Sequence, residues 1–328
     1  MHIYTGGKTG GHIIPIINMI EDDNDYLYIG NKNSLEEKIC NEKNINFFGI
    51  DNYKNKFIYI FKGIKKIKKE LLNKKIDYVF STGGFVALPV LLFSLIHKIP
   101  IFLFEPNIII GRTNRIFYPF CKKLFLGYEI KNMKNKMIVS GVPLKIKYEI
   151  AKIKYDILII GGSLGSRPLC EIALKLKDKY KVLLIAGKYY KEYYQYFDNI
   201  IDYSNDIYSL MNEARVVISR AGAITISELI YINKPFITIP SKNTKDNHQV
   251  LNAKYFENLG LCLLFDENED IRVLFDKLKY IMDSNNYYRI MNKQRNIINN
   301  SIDMIREIIK NDVCWFCKWK LFRRSKKI

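Results

Sequence analysis

Short apolar runs alternate along this chain with longer stretches whose apolar positions recur at helical spacing. Ile3–Thr5, Tyr26–Ile29, Asn46–Ile50, Tyr78–Thr82, Ile101–Phe104 and Met137–Ser140 have the length and β-type composition of strands. The alternation restarts after residue 150 with Ile157–Ile160, Val182–Ala186, Val216–Ser219, Phe236–Ile239 and Cys262–Phe265. Continuous apolar strands separated by helices predict parallel sheets covered on both faces. Two such series predict an α/β chain of two doubly wound domains. The polar, basic stretch 143–154 separates them, giving domains at 1–148 and 149–312. Tyr287–Lys310 reads as a last helix that can cross back to the first domain, and residues 313–328 as a separate basic tail with Trp and Cys.

In an open parallel sheet, ligands gather at the carboxyl ends of the strands. Three glycine-rich turns fall there: Gly6–His12 (GGKTGGH), Gly161–Gly165 (GGSLG) and Arg220–Thr225 (RAGAIT). Glycine lets the backbone approach a ligand, and the N–H groups of the following helix suit a phosphate. A tight strand-to-helix turn alone would explain any one of them; three equivalent turns in two domains argue for a ligand. None has the form G-x-x-x-x-G-K-[ST] or G-x-G-x-x-G, which excludes P-loop chemistry and disfavours a dinucleotide oxidoreductase. A nucleotide held between two facing domains fits better.

His12 ends the first turn, where a general base or a phosphate contact belongs. His2, within the first strand, and His97, at a helix end, read as structural. Glu228 lies about two turns into the helix after Gly222, where a carboxylate can accept hydrogen bonds from ribose hydroxyls. The plain alternative is a solvated helix glutamate. Glu105-Pro106-Asn107 follows another strand, and His248 in Asn247-His248-Gln249 is open to either a capping or a ligand role. Asp23-Asn24-Asp25 spells the D-x-D metal motif of some sugar transferases. It sits at the far end of the first helix, away from the ligand edge, and so is expected to be a solvated turn. Cys314 and Cys317 form a C-x-x-C with no second ligand pair, so no metal site is expected.

Length and composition agree with this reading. The 328 residues suit about two domains, and 48% hydrophobic content excludes a disordered chain. Six scattered cysteines exclude a disulfide scaffold and fit a reducing compartment. The opening apolar stretch is broken by Gly6 and followed by acidic residues, unlike a secretory signal. The longest apolar run, Phe85–Ile96, falls short of the ~20 residues of a spanning helix. The net charge of +19 predicts attraction to something anionic, although a codon bias toward Lys, Ile and Asn would produce part of it. Residues 54–75 place Phe57, Phe61, Ile64, Ile67 and Leu71 at helical spacing among five lysines. That pattern suits a membrane-surface helix as well as an ordinary core-facing one.

Taken together, the motifs resemble the MurG family, the UDP-N-acetylglucosamine transferases that complete the lipid-linked peptidoglycan precursor. A G-G-G-T-G-G-H loop is matched by Gly6–His12, and a G-G-S-x-G turn by Gly161–Gly165. R-[AS]-G-A-x-T-x-x-E is matched by Arg220–Glu228, and P…N-H-Q…N-A by Pro240, Asn247–Gln249 and Asn252–Ala253. G-G-[FY]-x-x-x-P is matched by Gly83–Pro89, and E-x-N…G-x-T-N by Glu105–Asn114. Order and spacing hold from residue 2 to about residue 310.

The resemblance implies a GT-B fold, with two Rossmann-like domains facing across a cleft, and an inverting transfer without cofactor or required metal. The donor would be UDP-GlcNAc, and the acceptor undecaprenyl-diphospho-muramoyl-pentapeptide. The enzyme would be peripheral on the cytoplasmic side of an anionic cell membrane, its first domain taking the acceptor and its second the UDP-sugar. Carried over by motif, Thr9, Gly10, Gly11 and Asn107 contact the donor sugar or its diphosphate, and Ser163 lies by the diphosphate. Ala223, Ile224, Thr225 and Glu228 hold the nucleoside, and Gln249 lies near the sugar. Lys145 and Ser204 join the substrate-binding set, and His12 and Glu105 are the acid–base candidates.

Three departures stand out. Lys8 replaces a glycine and adds a cation near the acceptor phosphates. Phe104 stands where many members have His. Lys145 stands where Arg is common, so a bidentate phosphate contact becomes a point charge. A UDP-GlcNAc 2-epimerase would share the architecture, and an inactive sugar-nucleotide binder would follow if Lys8 and Phe104 abolished turnover. A nucleic-acid-binding role rests on charge alone and leaves the glycine turns unexplained, so no nucleic acid partner is expected.

Overall fold

The computed structural model describes residues 1–147, 151–162, 165–242, 244, 247–297 and 300–325, with side chains described through residue 313. It divides into two units, Met1–Leu144 with Ile298–Ile328, and Lys145–Ile297.

In the first unit the strands are β1 (His2–Thr5), β2 (Tyr26–Asn31), β3 (Phe47–Ile50), β4 (Tyr78–Ser81), β5 (Ile101–Glu105), β6 (Lys123–Leu126) and β7 (Met137–Val139). Among the described residues they form one all-parallel sheet in the order β3-β2-β1-β4-β5-β6-β7. The helices are α1 (Gly10–Ile20), α2 (Leu35–Glu42), α3 (Lys56–Glu70), α4 (Leu88–Ile96) and α5 (Arg112–Phe117). Alternation along the strands sorts side chains by kind. Ile3, Leu27, Val79, Ile101, Leu103 and Leu124 form an aliphatic layer with α3 and α4 residues such as Tyr59, Ile67, Val90 and Leu91. The intervening positions carry Tyr4, Tyr28, Phe80, Phe102, Phe104 and Phe125, all fully buried. Phe80 packs on Tyr4 and Phe104, and Phe102 on Phe125.

The second unit contains β8 (Tyr155–Ile160), β9 (Val182–Ile185), β10 (Ile200–Ile201), β11 (Ala214–Ser219), β12 (Phe236–Thr238) and β13 (Leu263–Leu264). Their order, again all parallel, is β10-β9-β8-β11-β12-β13. Its helices are α6 (Arg167–Leu176), α7 (Tyr190–Tyr193), α8 (Ile207–Glu213), α9 (Ala223–Tyr231), α10 (His248–Asn258), α11 (Ile271–Met282) and α12 (Ser284–Arg295). Ile157, Ile159, Val216, Ile218 and Ile237 pack there against Leu169, Ala173, Leu274 and Leu278.

Several expectations are corrected. β6 and β10 were not anticipated, because each offers only two or three apolar residues in a row. The helix expected over 287–310 is two: α12 ends at Arg295, and α13 (Ser301–Ser325) begins in the first unit, where Ser301 Oγ donates to the Val142 carbonyl at 2.6 Å. α13 continues through residues expected as a separate tail. Asp23 is no solvated residue: its Oδ2 lies 2.8 Å from the Tyr4 hydroxyl and 2.7 Å from His2 Nδ1, at the amino edge of the sheet.

The apolar stripe of α3 also divides. Tyr59, Gly63 and Ile67 face the core, and a Cβ on Gly63 would come within 2.9 Å of Pro89. Ile67 and Leu71 are buried with them, whereas Phe57 and Phe61 stand 85% and 76% exposed. No described helix is long and apolar enough to cross a membrane.

Candidate active site

Strand order reverses direction between β1 and β4 in the first sheet and between β8 and β11 in the second. The crevice at such a switch point is where an open parallel sheet receives ligands. The glycine turns fall at both.

At the first switch point, a Cβ on Gly6 would lie 2.0 Å from Thr82 Oγ1, so only glycine lets these two turns touch. α1 starts at Gly10, and its N-cap residue Thr9 makes no side-chain cap. The exposed Thr9 and half-buried Gly10 and Gly11 therefore present a helix start without a side-chain lid.

His12 is the third residue of α1. Its Nδ1 is 2.9 Å from the Thr82 carbonyl oxygen, and Thr82 Oγ1 donates back to the His12 carbonyl at 2.8 Å. A carbonyl can only accept, so Nδ1 carries the hydrogen and the neutral ring presents Nε2 as its basic nitrogen. Gly84, with φ of 81°, leaves room beside that edge of the ring: a Cβ there would lie 3.7 Å from Nε2.

Glu105 ends β5 and is only 1% exposed. Its Oε1 accepts from Asn107 N at 3.2 Å and Asn107 Nδ2 at 2.9 Å; its Oε2 accepts from Gly111 N at 2.8 Å and Asn114 Nδ2 at 3.0 Å. Four donors occupy the lone-pair positions of one carboxylate. Glu105 thus organises the loop 106–111 and the start of α5, and Thr113 Oγ1 on α5 donates to the Gly84 carbonyl beside His12. Phe104, in the aromatic layer, brings no titratable group to this edge.

In the second unit Arg220 bridges the loops around the switch point. Its Nε and Nη2 donate to Ser166 Oγ at 3.0 and 2.7 Å, and its Nη1 donates to the Ile239 carbonyl at 3.1 Å and to Glu267 at 2.7 Å. α9 begins behind Gly222 without a side-chain cap, with Ala223 and Ile224 buried and Thr225 half-buried.

Glu228 is buried on the same helix, and the Tyr208 hydroxyl donates to its Oε1 at 2.8 Å. Burial pushes this carboxyl up to about 7, against the opposing pull of the Tyr208 hydrogen bond. It is therefore no solvated helix glutamate. Gln249 Oε1 accepts from Ser241 N at 2.8 Å, and the buried Asn252 amide donates to the Ala221 carbonyl at 3.3 Å, which ties α10 to the turn before α9.

Ser204 Oγ accepts from Asp206 N, and Lys145 is half-buried at the start of this unit. Ser163 lies outside the described residues, as do the side chains of Cys314 and Cys317. The structure thus gathers Thr9–His12, Glu105 and Asn107 at one edge of the first unit, and Ala223–Glu228 and Gln249 at one edge of the second. Among the described residues no group of three His, Cys, Asp or Glu side chains is placed to hold a metal ion.

Glu36, Thr82 and Tyr208 belong to none of the motifs in the sequence, whereas Asn114 closes the E-x-N…G-x-T-N run. The one local signal near Glu36 is the Ser34-x-x-Glu37 spacing, a capping pattern that points to Glu37 instead.

Residues 2–126 match the glycosyltransferase family 28 N-terminal domain, and residues 156–308 the glycosyltransferase family 28 C-terminal domain. A Clostridium botulinum relative, named UDP-N-acetylglucosamine–N-acetylmuramyl-(pentapeptide) pyrophosphoryl-undecaprenol N-acetylglucosamine transferase, is 34% identical, over 95% of this chain and 98% of its own length. The chain belongs to the MurG family of glycosyltransferases. A Clostridium tetani relative of the same name is 31% identical over 94% of the chain and 97% of its own length. Among solved structures, Acinetobacter baumannii MurG superposes with a TM-score of 0.78 at 20% identity, covering 94% of this chain and 99% of that one. A calicheamicin glycosyltransferase reaches 0.69 at 10% identity, covering 94% and 97%. Both share the fold, so this family member is a two-domain GT-B glycosyltransferase.

Proposed function

We propose that the chain transfers N-acetylglucosamine from UDP-GlcNAc, with inversion, to undecaprenyl-diphospho-muramoyl-pentapeptide at a membrane surface. The observation that carries this reading is His12, held through Nδ1 so that Nε2 is the basic nitrogen beside a glycine turn. An acceptor hydroxyl gives its proton to Nε2 as its oxygen attacks the anomeric carbon. The new glycosidic bond forms while the bond to the UDP oxygen breaks, and its electron pair leaves on UDP. General-base help of this kind is worth typically about 10²–10⁴-fold. The helix start at α9 offers the leaving diphosphate the positive end of a helix. Glu228 takes the ribose hydroxyls and with Ala223–Thr225 holds the nucleoside, while Gln249 and Asn107 lie by the sugar. Thr9–Gly11, Lys145, Ser163 and Ser204 complete the substrate contacts. Glu105 acts in this scheme by holding Asn107 and its loop, not by proton transfer.

The membrane contact is assigned to α3. Phe57 and Phe61 project into solvent beside Lys56, Lys62, Lys65, Lys68 and Lys69. Exposed phenyl rings ringed by lysines suit an anionic lipid surface on the cytoplasmic side. The test is labelled UDP-GlcNAc with lipid-linked muramoyl-pentapeptide. Label should enter the lipid fraction; label remaining in the aqueous phase refutes the assignment, and epimerised free UDP-sugar would replace it with the 2-epimerase.

A further inference from the structure

We propose that Glu36 is a positioning residue that clamps the first glycine turn in a left-handed form, and that it does so because Lys8 occupies a position suited to glycine. The inference rests on the active-site reading above. Lys8 has φ of 80°, a conformation in which a side chain is strained. Its backbone N–H donates to Glu36 Oε2 at 3.1 Å. The other oxygen, Oε1, accepts from Asn31 N at 3.2 Å. Glu36 sits in the first turn of α2 and is only 1% exposed. The backbone around it is built to admit it: a Cβ on Gly7 would lie 2.5 Å from Oε1, and a Cβ on Gly30 2.8 Å from Cγ. The ends of β1 and β2 and the start of α2 therefore close on one carboxylate, and each of its oxygens takes one backbone amide.

The consequence runs along the chain. With the Lys8 amide turned inward, the next residues leave the turn as Thr9 and the start of α1, and His12 follows within that first turn. Losing the inward hydrogen bond leaves nothing to offset the strain at Lys8. The turn then relaxes, and the helix start that carries His12 moves with it. A glycine at position 8 would take the same φ without strain and would need no clamp. A purely structural Glu36, acting through Asn31 alone, would not care what residue stands at position 8.

A double-mutant cycle separates the two. Glu36→Gln keeps the shape but turns an N–H toward one of the two amides. In the full-length chain it should lower kcat for GlcNAc transfer by about 10-fold or more with KM for UDP-GlcNAc little changed. In a Lys8→Gly background the same substitution should cost less than about threefold, whatever Lys8→Gly does alone. Equal losses in both backgrounds overturn the proposal, as does a loss confined to KM. Thermal unfolding of the four proteins gives a second reading. The midpoint loss from Glu36→Gln should shrink when position 8 is glycine, and equal losses again overturn the clamp. If Glu36→Gln does not fold, recovery of folded protein on adding Lys8→Gly supports the clamp and failure to recover refutes it. A parent that transfers no sugar would sink the proposed function, while the unfolding cycle would still decide the role of Glu36.

Discussion

Binding of the uridine nucleotide should strengthen as pH rises through neutrality, and Glu228 should be the cause. Loss of hydration holds its carboxyl up to about 7 in spite of the Tyr208 hydroxyl, whereas a solvated Glu ionises near about 4.3. With the folded value above the unfolded one, the stability contributed by Glu228 is fully present below the unfolded value and is lost as pH climbs through about 7. At about 1.4 kcal/mol per pH unit, an ionised Glu228 costs the unliganded protein on the order of 3 kcal/mol. Hydrogen bonds from ribose hydroxyls to a charged acceptor contribute about 1.5–3 kcal/mol. The two quantities are of one size, so nucleotide and proton compete for this carboxylate.

Between about pH 6 and about pH 8 the ionised fraction goes from about one tenth to about nine tenths, and affinity for UDP-GlcNAc should rise by up to about ninefold. Isothermal titration calorimetry at the two pH values measures it, with UDP-GlcNAc chosen because its diphosphate diester does not titrate in that window. Glu228→Gln should flatten the profile, raise the unfolding midpoint at the upper pH, and lower kcat/KM for UDP-GlcNAc roughly 10- to 150-fold. A parent with pH-independent affinity, or a Gln variant that keeps the slope, refutes the reasoning.

His12→Ala should lower kcat by about 100-fold or more with an unfolding midpoint near the parent's, and normal turnover would return the histidine to a packing role. Glu105→Gln sets an N–H against one of four donors, so it should destabilise by about 1–3 kcal/mol in thermal unfolding. An unchanged midpoint with a large loss of kcat would instead give Glu105 a proton-transfer role. Replacing Phe57 and Phe61 by Ser should weaken sedimentation with anionic vesicles, and high salt should weaken the parent's binding. Equal binding of the parent to anionic and neutral vesicles would assign the lysines to composition alone.

What could be read from the chain, and what could not, follows from how local each signal is. The parallel strands were legible because both of their faces are buried, which leaves continuous apolar runs such as Ile157–Ile160. The glycine turns were legible because close backbone approach demands glycine at contiguous positions. Lys123–Leu126 and Ile200–Ile201 were not, since their pairing is supplied by neighbouring strands more than by their own composition. Phe57 and Ile67 read as one stripe at helical spacing, yet only the side of α3 with Tyr59, Gly63 and Ile67, where Gly63 meets Pro89, is buried, and Phe57 lies outside it. Glu36 and Arg220 were illegible as clamps for a similar reason. A charged residue reads as surface, and only tertiary contacts show that backbone groups enclose it.

The residues that clamp the turns differ between the two units, and the difference bears on which substrate each suits. At the first switch point the buried groups are carboxylates. Glu36 takes the Lys8 amide, and Glu105 takes the amides of Asn107 and Gly111. N–H groups that would otherwise face an anion are thereby turned inward, toward a carboxylate. At the second switch point the clamp is the half-buried Arg220, whose partners are a hydroxyl, a carbonyl and the Glu267 carboxylate, none of them a turn amide. Each clamp is held by several hydrogen bonds at once and so fixes the turn it touches. Under the proposed function, the Arg220–Glu267 pair fixes the turn before α9, and the uncapped start of α9 is what would meet the diphosphate of the donor. In the first unit, where the turn amides are already held by carboxylates, the chemistry left at the edge is the basic nitrogen of His12 and the uncapped start of α1, which suits activation of a hydroxyl.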